Sequence, residues 1–380
     1  MILKIRVDLC IAYYYLLAAV ALVFTLSAID FCFSRMNGIL VVRLKERNFK
    51  EVLMSAQEQV KKCVTAYHDL KKGFKWENSL LLHLGALMHS EKDQAVDVES
   101  IKAMRKFIKS QTRAFSTFRG MNEFILAVTL SLDSDGKTLF SRTQDLFEQM
   151  KEQGFKSSEY LPMAALLLAQ NREKTDDRMQ IQRAYDFYEK MKEQHKFLTG
   201  RDDYVYAALL ATTDLPIEGT IQKTEAYYNA LPDHGIRKGN ALQSLSHVLG
   251  IAEEPVEAIL KRTVEIDALL KEKKYKLRNY HMAFMGVLTL LSNESEEIVE
   301  QAVKLANWLK TYKGYGSFSI DKATRFVIAA SILMQSRIRE DNTVGNAVVA
   351  NSIRAIMIAQ QAAMMGAIVA STSAASSASS

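Results

Sequence analysis

The chain has 380 residues, of which 48% are apolar and 24% charged, a balance that excludes an intrinsically disordered protein. Its formal charge of +6 is small beside 49 basic and 43 acidic residues, which argues against a protein built mainly to bind nucleic acid. Only four prolines and sixteen glycines interrupt stretches rich in Leu, Ala, Met, Lys, Glu and Gln, and this predicts an all-α fold. Three cysteines are too few for a disulfide framework and suit a reducing compartment.

The first predicted element is an apolar segment that runs from Leu9 to Ile29 without a charged residue. As a helix it would be about 30 Å long, enough to cross the hydrocarbon core of a membrane. Basic residues lie on both sides of it, with more of them after it than before it. This bias places the rest of the chain on the cytoplasmic side.

Three interpretations of residues 1–35 are open. They form a membrane anchor, or they are sequence upstream of the working start at Met36, or they are a cleaved signal peptide. Leu26 occupies the position where a signal peptidase needs a small residue, which disfavours the third interpretation. We therefore expect a cytoplasmic body that is membrane-anchored if residues 1–35 are expressed.

The body, residues 44–340, is predicted to be built from a repeated pair of helices. The segment "DLFEQMKEQGFK" at Asp145–Lys156 returns 41 residues later as "DFYEKMKEQHKF" at Asp186–Phe197. The end of this charged, amphipathic helix recurs at intervals of 39 to 42 residues, at Ile108, Met150, Met191, Leu231, Leu270 and Leu309.

A shorter, more apolar helix follows each of these ends. Its small residues would let neighbouring helices approach closely, and they recur near Ala127, Ala165, Ala208, Ser246, Gly286 and Ala329, with an opening half-unit near Ala86. Two helices in a period of about 40 residues are typical of an α-solenoid, because one amphipathic pair cannot bury its apolar face without neighbours. The predicted fold is therefore an all-α solenoid.

Three motifs carry a resemblance to a known family: "FKWENSLLLHLGAL" at Phe74–Leu87, "FSTFRGMNEFILAV" at Phe115–Val128 and "YLPMAALLLA" at Tyr160–Ala169. Together with the Ala-rich end, the chain resembles, over about residues 45 to 370, a bacterial domain-of-unknown-function family, number four thousand and three. The resemblance implies a helical body and brings no activity, cofactor or catalytic residue. Its members begin near residues 36 to 45 of this chain, which favours a start after the apolar leader.

The C-terminal end is rich in Ala and Met over residues 341–370, and Arg354 is the only charge from Val344 to Ala370. One interpretation is a terminal helix that covers the last apolar face of the solenoid. The other is an oligomer or membrane-surface contact made by the small residues Ala363, Gly366 and Ala370, which lie three and four residues apart. The Ser/Ala tail, residues 371–380, is predicted to be disordered.

The search for catalytic chemistry finds no motif. None of the seven histidines has zinc-site spacing, and the dipeptide His68-Asp69 is interpreted as a solvated helix surface. Cys63 follows two lysines that would lower its thiol pKa slightly, but it has no base partner. The segment Lys313–Phe318 has two glycines without a preceding strand, so it is interpreted as a loop between helices and not a phosphate-binding loop.

Two surface features are candidate contacts for a partner or an anion. The first is a basic run interleaved with Tyr275 and Tyr280, and its members are Lys271, Lys273, Lys274, Lys276 and Arg278. The second is Arg119, which lies beside aromatic residues in a predicted loop. The plainer interpretations are a solvated helix end for the run and hydrogen bonds to carbonyls for Arg119.

The function expected from the sequence is that of a non-enzymatic helical-repeat protein, without a cofactor, whose concave surface binds a protein or peptide. One alternative is an enzyme with a groove of scattered polar residues. Another is a basic surface that binds nucleic acid or anionic lipid, with affinity that falls steeply as salt rises.

Overall fold

The computed structural model describes residues 52–171, 176–278, 281–291 and 294–341. Its contacts divide the chain into two compact units, Met1–Met54 and Ser55–Ser380. The leader 1–35, the segment Val344–Ala370 and the tail 371–380 lie outside the described residues, so the interpretations given for them stay predictions.

The described part of the chain is all-α, as predicted, with fourteen α-helices and no strand. The helices are α1 (52–73), α2 (Ser79–Lys92), α3 (Val98–Gln111), α4 (Met121–Ser131), α5 (Gly136–Gln153), α6 (Leu161–Gln170), α7 (Asp177–Gln194), α8 (Tyr204–Ala211), α9 (Ile217–Ala230), α10 (Asn240–Leu249), α11 (Val256–Glu272), α12 (Met282–Leu291), α13 (Ser295–Leu309) and α14 (Lys322–Asp341).

Long amphipathic helices alternate with helices that are buried on nearly every side. Helix α5 buries one stripe at helical spacing, starts at the N-cap Asp135 and ends at Gly154, whose φ of 127° favours glycine. Helix α6 buries every residue from Leu161 to Ala169. A helix of this second kind has no polar face, so it forms only where neighbours surround it.

Each amphipathic helix packs on the apolar helix that follows it, and we call these two a pair. The first helices of successive pairs, α3 to α13, begin 38 to 41 residues apart. All six predicted helix-end residues, Ile108, Met150, Met191, Leu231, Leu270 and Leu309, are buried. The opening half-unit predicted near Ala86 is a full pair, because α1 precedes α2 and the ring of Tyr67 stacks on that of His83.

The last pair contacts the first one. Helix α14 packs on α2, and the Tyr315 ring, in the connection between α13 and α14, meets the rings of Tyr67 at 5.3 Å and His83 at 4.6 Å. The Tyr315 hydroxyl lies 3.4 Å from the Cys63 sulfur. The ends of an open solenoid do not meet, so these contacts leave the predicted solenoid unconfirmed.

The connections within pairs lie together at one end of the helices. Hydrogen bonds link each of several connections, or the first turn of the helix after it, to the connection of a neighbouring pair. The Asn122 amide donates to the carbonyls of Thr117 and Glu159, which belong to successive connections. Arg201 donates to the Ser157 carbonyl, and Lys322 donates to that of Lys274. The connections between pairs lie at the opposite end.

Within the described residues, no helix combines the length and apolarity needed to cross a membrane. The segment Leu9–Ile29, predicted as a candidate anchor, is not among those residues. The anchor therefore stays a prediction without structural support.

Candidate ligand pocket where the connections within pairs meet

A pocket of about 970 Å³ opens where four connections within pairs meet. Its size is at the upper end of the range for small-molecule sites. One wall carries uncharged polar side chains and an acidic one, and the other wall carries basic side chains. The lining is formed by Tyr160, Asp202, Tyr206, Gly235, Ile236, Arg237, Lys238, Gly239, Asn240, Ala241, Ser244, Asp267, Lys271, Lys276, Leu277, Arg278 and Met282.

The start of α10 forms the floor between the two walls. Gly239, its N-cap, has a φ of 139° that only glycine adopts readily, and it offers no side chain to cap the helix. The first backbone N–H groups of α10, at Asn240 and Ala241, therefore carry the positive end of the helix dipole into the pocket lining.

Two adjacent carboxyl groups lie on the polar wall. Asp202 lines the pocket and hydrogen-bonds the Asn240 side chain, while Asp203 is buried behind it and accepts the Gly200 N–H at 2.9 Å. Burial raises the pKa of both carboxyls, and at Asp203 the charge of Asp202 raises it further, well above the usual range.

His247 lies behind the same wall, with its Nε2 atom 3.7 Å from Asp203 Oδ1. Burial first, and the nearby charge of His195 second, lower the His247 pKa to about 3. Near pH 7 this imidazole is neutral, and both its nitrogens are buried without a hydrogen-bond partner. Because the imidazole is neutral, it does not form an ion pair with Asp203, despite their proximity.

Two tyrosines complete the polar wall. Burial, followed by the charges of Asp202, Glu159 and Asp203, raises the pKa of Tyr160 to about 12. Burial also raises the pKa of Tyr206, whose hydroxyl hydrogen-bonds Ser244. Both phenols therefore keep their protons at neutral pH, so the Tyr160 hydroxyl can donate a hydrogen bond to a ligand.

The basic wall carries three of the five residues of the predicted basic run. Lys271 is paired with Asp267, its Nζ lying 2.5 Å from a carboxylate oxygen. Lys276 and Arg278 line the pocket, are exposed, and have no acidic partner among the described residues. The pocket therefore offers positive charge without an acidic partner opposite a wall of tyrosine, serine, amide and carboxyl groups.

The other predicted contact residues lie outside this pocket. Lys273 is paired with Glu272 at 3.1 Å, and Lys274 accepts a bond from Lys322 at its carbonyl. Tyr275 is buried beneath the Lys322 ammonium, 3.8 Å from the ring centroid, so it is not free to stack on a base.

Arg119 supports the end of a neighbouring helix. Its guanidinium donates to the carbonyls of Lys109 at 2.6 Å and Thr112 at 2.5 Å, and its Nε donates to the Thr112 hydroxyl. This is the plainer interpretation given above for Arg119, and its contact with a partner stays a prediction.

Cys63 lies in the closure between the first and last pairs, away from the pocket. Burial raises its thiol pKa to about 12, so the slight lowering expected from Lys61 and Lys62 is wrong. Desolvation outweighs the lysines because Lys61 is exposed and the thiol has no contact with water. His68 and Asp69 are exposed, in agreement with a solvated surface.

Charge differs between the two ends. In the described connections within pairs, fourteen Lys and Arg stand against six acids, Glu77, Glu159, Asp202, Asp203, Asp233 and Asp321. The fourteen are Lys75, Arg113, Arg119, Lys156, Lys196, Arg201, Arg237, Lys238, Lys273, Lys274, Lys276, Arg278, Lys310 and Lys313. We call this the basic end.

In the described connections between pairs, nine acids occur without a Lys or Arg, and we call this the acidic end. The nine are Asp93, Asp97, Asp133, Asp135, Asp176, Asp214, Glu253, Glu254 and Glu294. No group of three or more His, Cys, Asp or Glu side chains in the described residues could hold a metal ion.

A family model described as "Protein of unknown function (DUF4003)" matches residues 66–362 of the chain. The chain belongs to the DUF4003 family. Within this family it is similar to an uncharacterized protein, YeaA, of Bacillus subtilis (strain 168), with 27% identity over 325 residues that cover 83% of this chain and 96% of YeaA. No solved structure gives a significant match. Membership of the DUF4003 family confirms the resemblance drawn from the three sequence motifs.

Proposed function

We propose that this protein is a non-enzymatic helical-repeat binding protein whose pocket at the basic end holds a small organic anion. The observation that carries the proposal is the presence of Lys276 and Arg278, which line the pocket without acidic partners among the described residues. Charge-assisted hydrogen bonds to such groups are the strong ones, and Arg can bind a carboxylate or phosphate through two of them.

The opposite wall supports the same ligand class. The Tyr160 hydroxyl and the uncapped start of α10 offer hydrogen-bond donors, and Asp202 offers an acceptor for a ligand hydroxyl or amine. An anionic group held at Lys276 and Arg278 would therefore leave the polar part of the ligand facing Asp202.

This proposal replaces a long concave groove with a compact pocket. The sequence predicts a protein or peptide bound along an open solenoid, but contacts between the first and last pairs favour a closed arrangement. A pocket of about 970 Å³ suits a small molecule better than an extended chain.

The test is mass spectrometry of the native protein purified at low salt, followed by isothermal titration with the anion recovered. The double variant Lys276→Gln/Arg278→Gln should bind that anion at least about tenfold more weakly, because each charge-assisted bond contributes roughly 1.5–3 kcal/mol. The matched control is Lys273→Gln/Lys274→Gln, which removes the same charge from the same connection outside the pocket. Equal affinities in the two double variants would sink the proposal.

The paired carboxyls favour one second candidate, an enzyme that uses Asp202 as an acid. Burial raises the Asp202 pKa, and a carboxyl of this kind can hold its proton closer to neutral pH than an exposed one. The recovered anion would then be converted by the wild-type protein and bound but not converted by Asp202→Asn. Binding without conversion by the wild type would leave the non-enzymatic proposal in place.

A further inference from the structure

Among the described residues, four aromatic side chains are fully exposed to solvent. Trp76 is 99% exposed, Phe115 101%, Phe197 98% and Phe318 108%. Single exposed apolar residues are ordinary on protein surfaces. Four aromatic side chains that bury almost none of their surface are not. Four of the six exposed large apolar side chains in the described residues are these rings.

All four rings lie at the basic end, in four different connections within pairs. These connections are 74–78, 112–120, 195–203 and 310–321. The first and last of them belong to the pairs that meet at the closure. The rings therefore lie in four separate connections at one end of the helices.

Each ring shares its connection with an exposed basic residue. Lys75 precedes Trp76, Lys196 precedes Phe197, and Arg113 and Lys313 lie in the connections that hold the other two rings. None of these four cations has an acidic partner among the described residues.

Helix dipoles do not account for this charge. A cation is favoured at the C-terminus of a helix, but the N-terminus of the following helix lies at the same end in every pair and has the opposite preference. The two preferences largely cancel, so the surplus of Lys and Arg at the basic end needs another explanation.

The geometry points to the basic end as a docking surface for an anionic lipid bilayer. Trp and Phe side chains insert at the level of the headgroups, and Lys and Arg around them are attracted to anionic lipid. Protein interfaces are instead depleted in Lys, and single-stranded nucleic acid needs stacking rings that follow one groove. Rings in four connections at one end of the helices, each with a cation in the same connection, fit a flat anionic surface.

The test uses the full chain with Trp308→Phe, which leaves Trp76 as the single tryptophan. Vesicles of phosphatidylcholine alone and of phosphatidylcholine with phosphatidylserine carry brominated acyl chains, which quench tryptophan that enters the bilayer. Quenching is measured instead of sedimentation, because the apolar segment Leu9–Ile29 could hold the chain on vesicles by itself.

We expect quenching of Trp76 by the anionic vesicles, less by the neutral ones, and a decrease as salt rises past about 0.15 M. The variant Phe115→Ser/Phe197→Ser/Phe318→Ser should lower the partition coefficient reported by Trp76 at least about tenfold. The matched control is Met179→Ser, which removes a 61% exposed apolar side chain near the start of α7, at the acidic end, and should change nothing.

Three results would overturn the proposal. The first is Trp76 emission that neither vesicle changes. The second is quenching by single-stranded DNA or RNA with no effect of vesicles, which would assign the rings to nucleic acid. The third is a blue shift that depends on protein concentration alone, which would assign them to a second copy of the chain.

Discussion

The two ends of the helix pairs use charge in opposite ways. At the acidic end, the side chains of Asp97, Asp135 and Asp176 accept hydrogen bonds from the first N–H groups of the helices that follow them. Others are tied to cations, as Asp93 is to Lys62 at 2.5 Å. Many of the charges there complete the helices that they precede, so they are accounted for by folding.

At the basic end, many cations have no such task. Lys276, Arg278, Lys75, Arg113, Lys196 and Lys313 are exposed and have no acidic partner among the described residues. The same end carries the pocket and the four exposed rings. These cations therefore lie at the same end as the pocket and the rings, and they mark the end where a ligand or a surface is expected.

Arg262 gives the strongest test of structural charge at the acidic end. It is buried, donates to the Thr289 carbonyl at 2.8 Å, and makes a two-atom contact with Glu254 at 2.5 and 3.1 Å. We expect Arg262→Ala to lower the free energy of unfolding by about 2–4 kcal/mol, because it leaves the carbonyl unpaired and removes the buried stem of the side chain. Urea denaturation measures the change.

The adjacent Lys261 is the control for this prediction. Its side chain is 80% exposed and lies 4.0 Å from Glu265, so Lys261→Ala should change stability by less than about 0.5 kcal/mol. Similar losses for the two variants would contradict the view that buried charge at the acidic end stabilises the fold.

Ala208 tests the inner packing on which both ends depend. It is completely buried in α8, whose every residue is buried, and α8 packs on α6 and α10. Replacing it with Phe should lower the free energy of unfolding by about 1–3 kcal/mol through overpacking. An unchanged melting temperature would contradict close stacking of the inner helices. Phe197→Ala, which removes a fully exposed ring, is the control and should have little effect.

The helix class and much of the buried pattern could be predicted from the sequence because both are local properties. The recurring ends from Ile108 to Leu309 are buried at the positions that the periodicity indicated. The segments Phe115–Gly120 and Lys313–Phe318 lie in connections between helices, as predicted. Helix propensity and the spacing of apolar residues suffice for such predictions.

The pocket could be predicted only in part. Lys276 and Arg278 belong to a basic run that is visible in the sequence. Asp202, just before α8, and Asn240, the first residue of α10, are far apart in the chain and share no motif. Only the packing of successive inner helices brings them together. The closure is harder still, because Tyr315 meets Tyr67 across most of the chain and nothing near either residue indicates it.

A buried histidine near the basic end, His83, should make the stability of the fold depend on pH. His83 is buried against Tyr67 and Tyr315, and both its nitrogens lack partners. Burial, with smaller effects of Lys71 and His68, lowers its pKa from 6.5 to about 3. Below pH 6.5 the unfolded chain takes up a proton that the folded chain refuses, so stability falls as pH drops from 6.5 towards 3.

Replacement of His83 by Phe should remove this contribution. The loss of unfolding free energy between pH 7 and pH 5 should then be about 1–2 kcal/mol smaller in His83→Phe than in the wild type. Urea denaturation of both proteins at the two pH values measures this difference. At pH 7, the difference in unfolding free energy between the variant and the wild type gives the effect of the substitution on packing. A wild-type slope in the variant would mean that His83 is protonated or hydrated in the fold.

The smallest expected effect on stability is that of removing the two pocket cations that have no acidic partner. The variant Lys276→Gln/Arg278→Gln removes two exposed cations that have no acidic partner among the described residues, so its free energy of unfolding should stay within about 0.5 kcal/mol of the wild type. The same variant should lose affinity for the organic anion, and the two measurements together separate folding from binding. A marked loss of stability would mean that these cations hold the connection between α11 and α12 in place. A marked gain of stability would mean that the two cations repel each other in the folded chain.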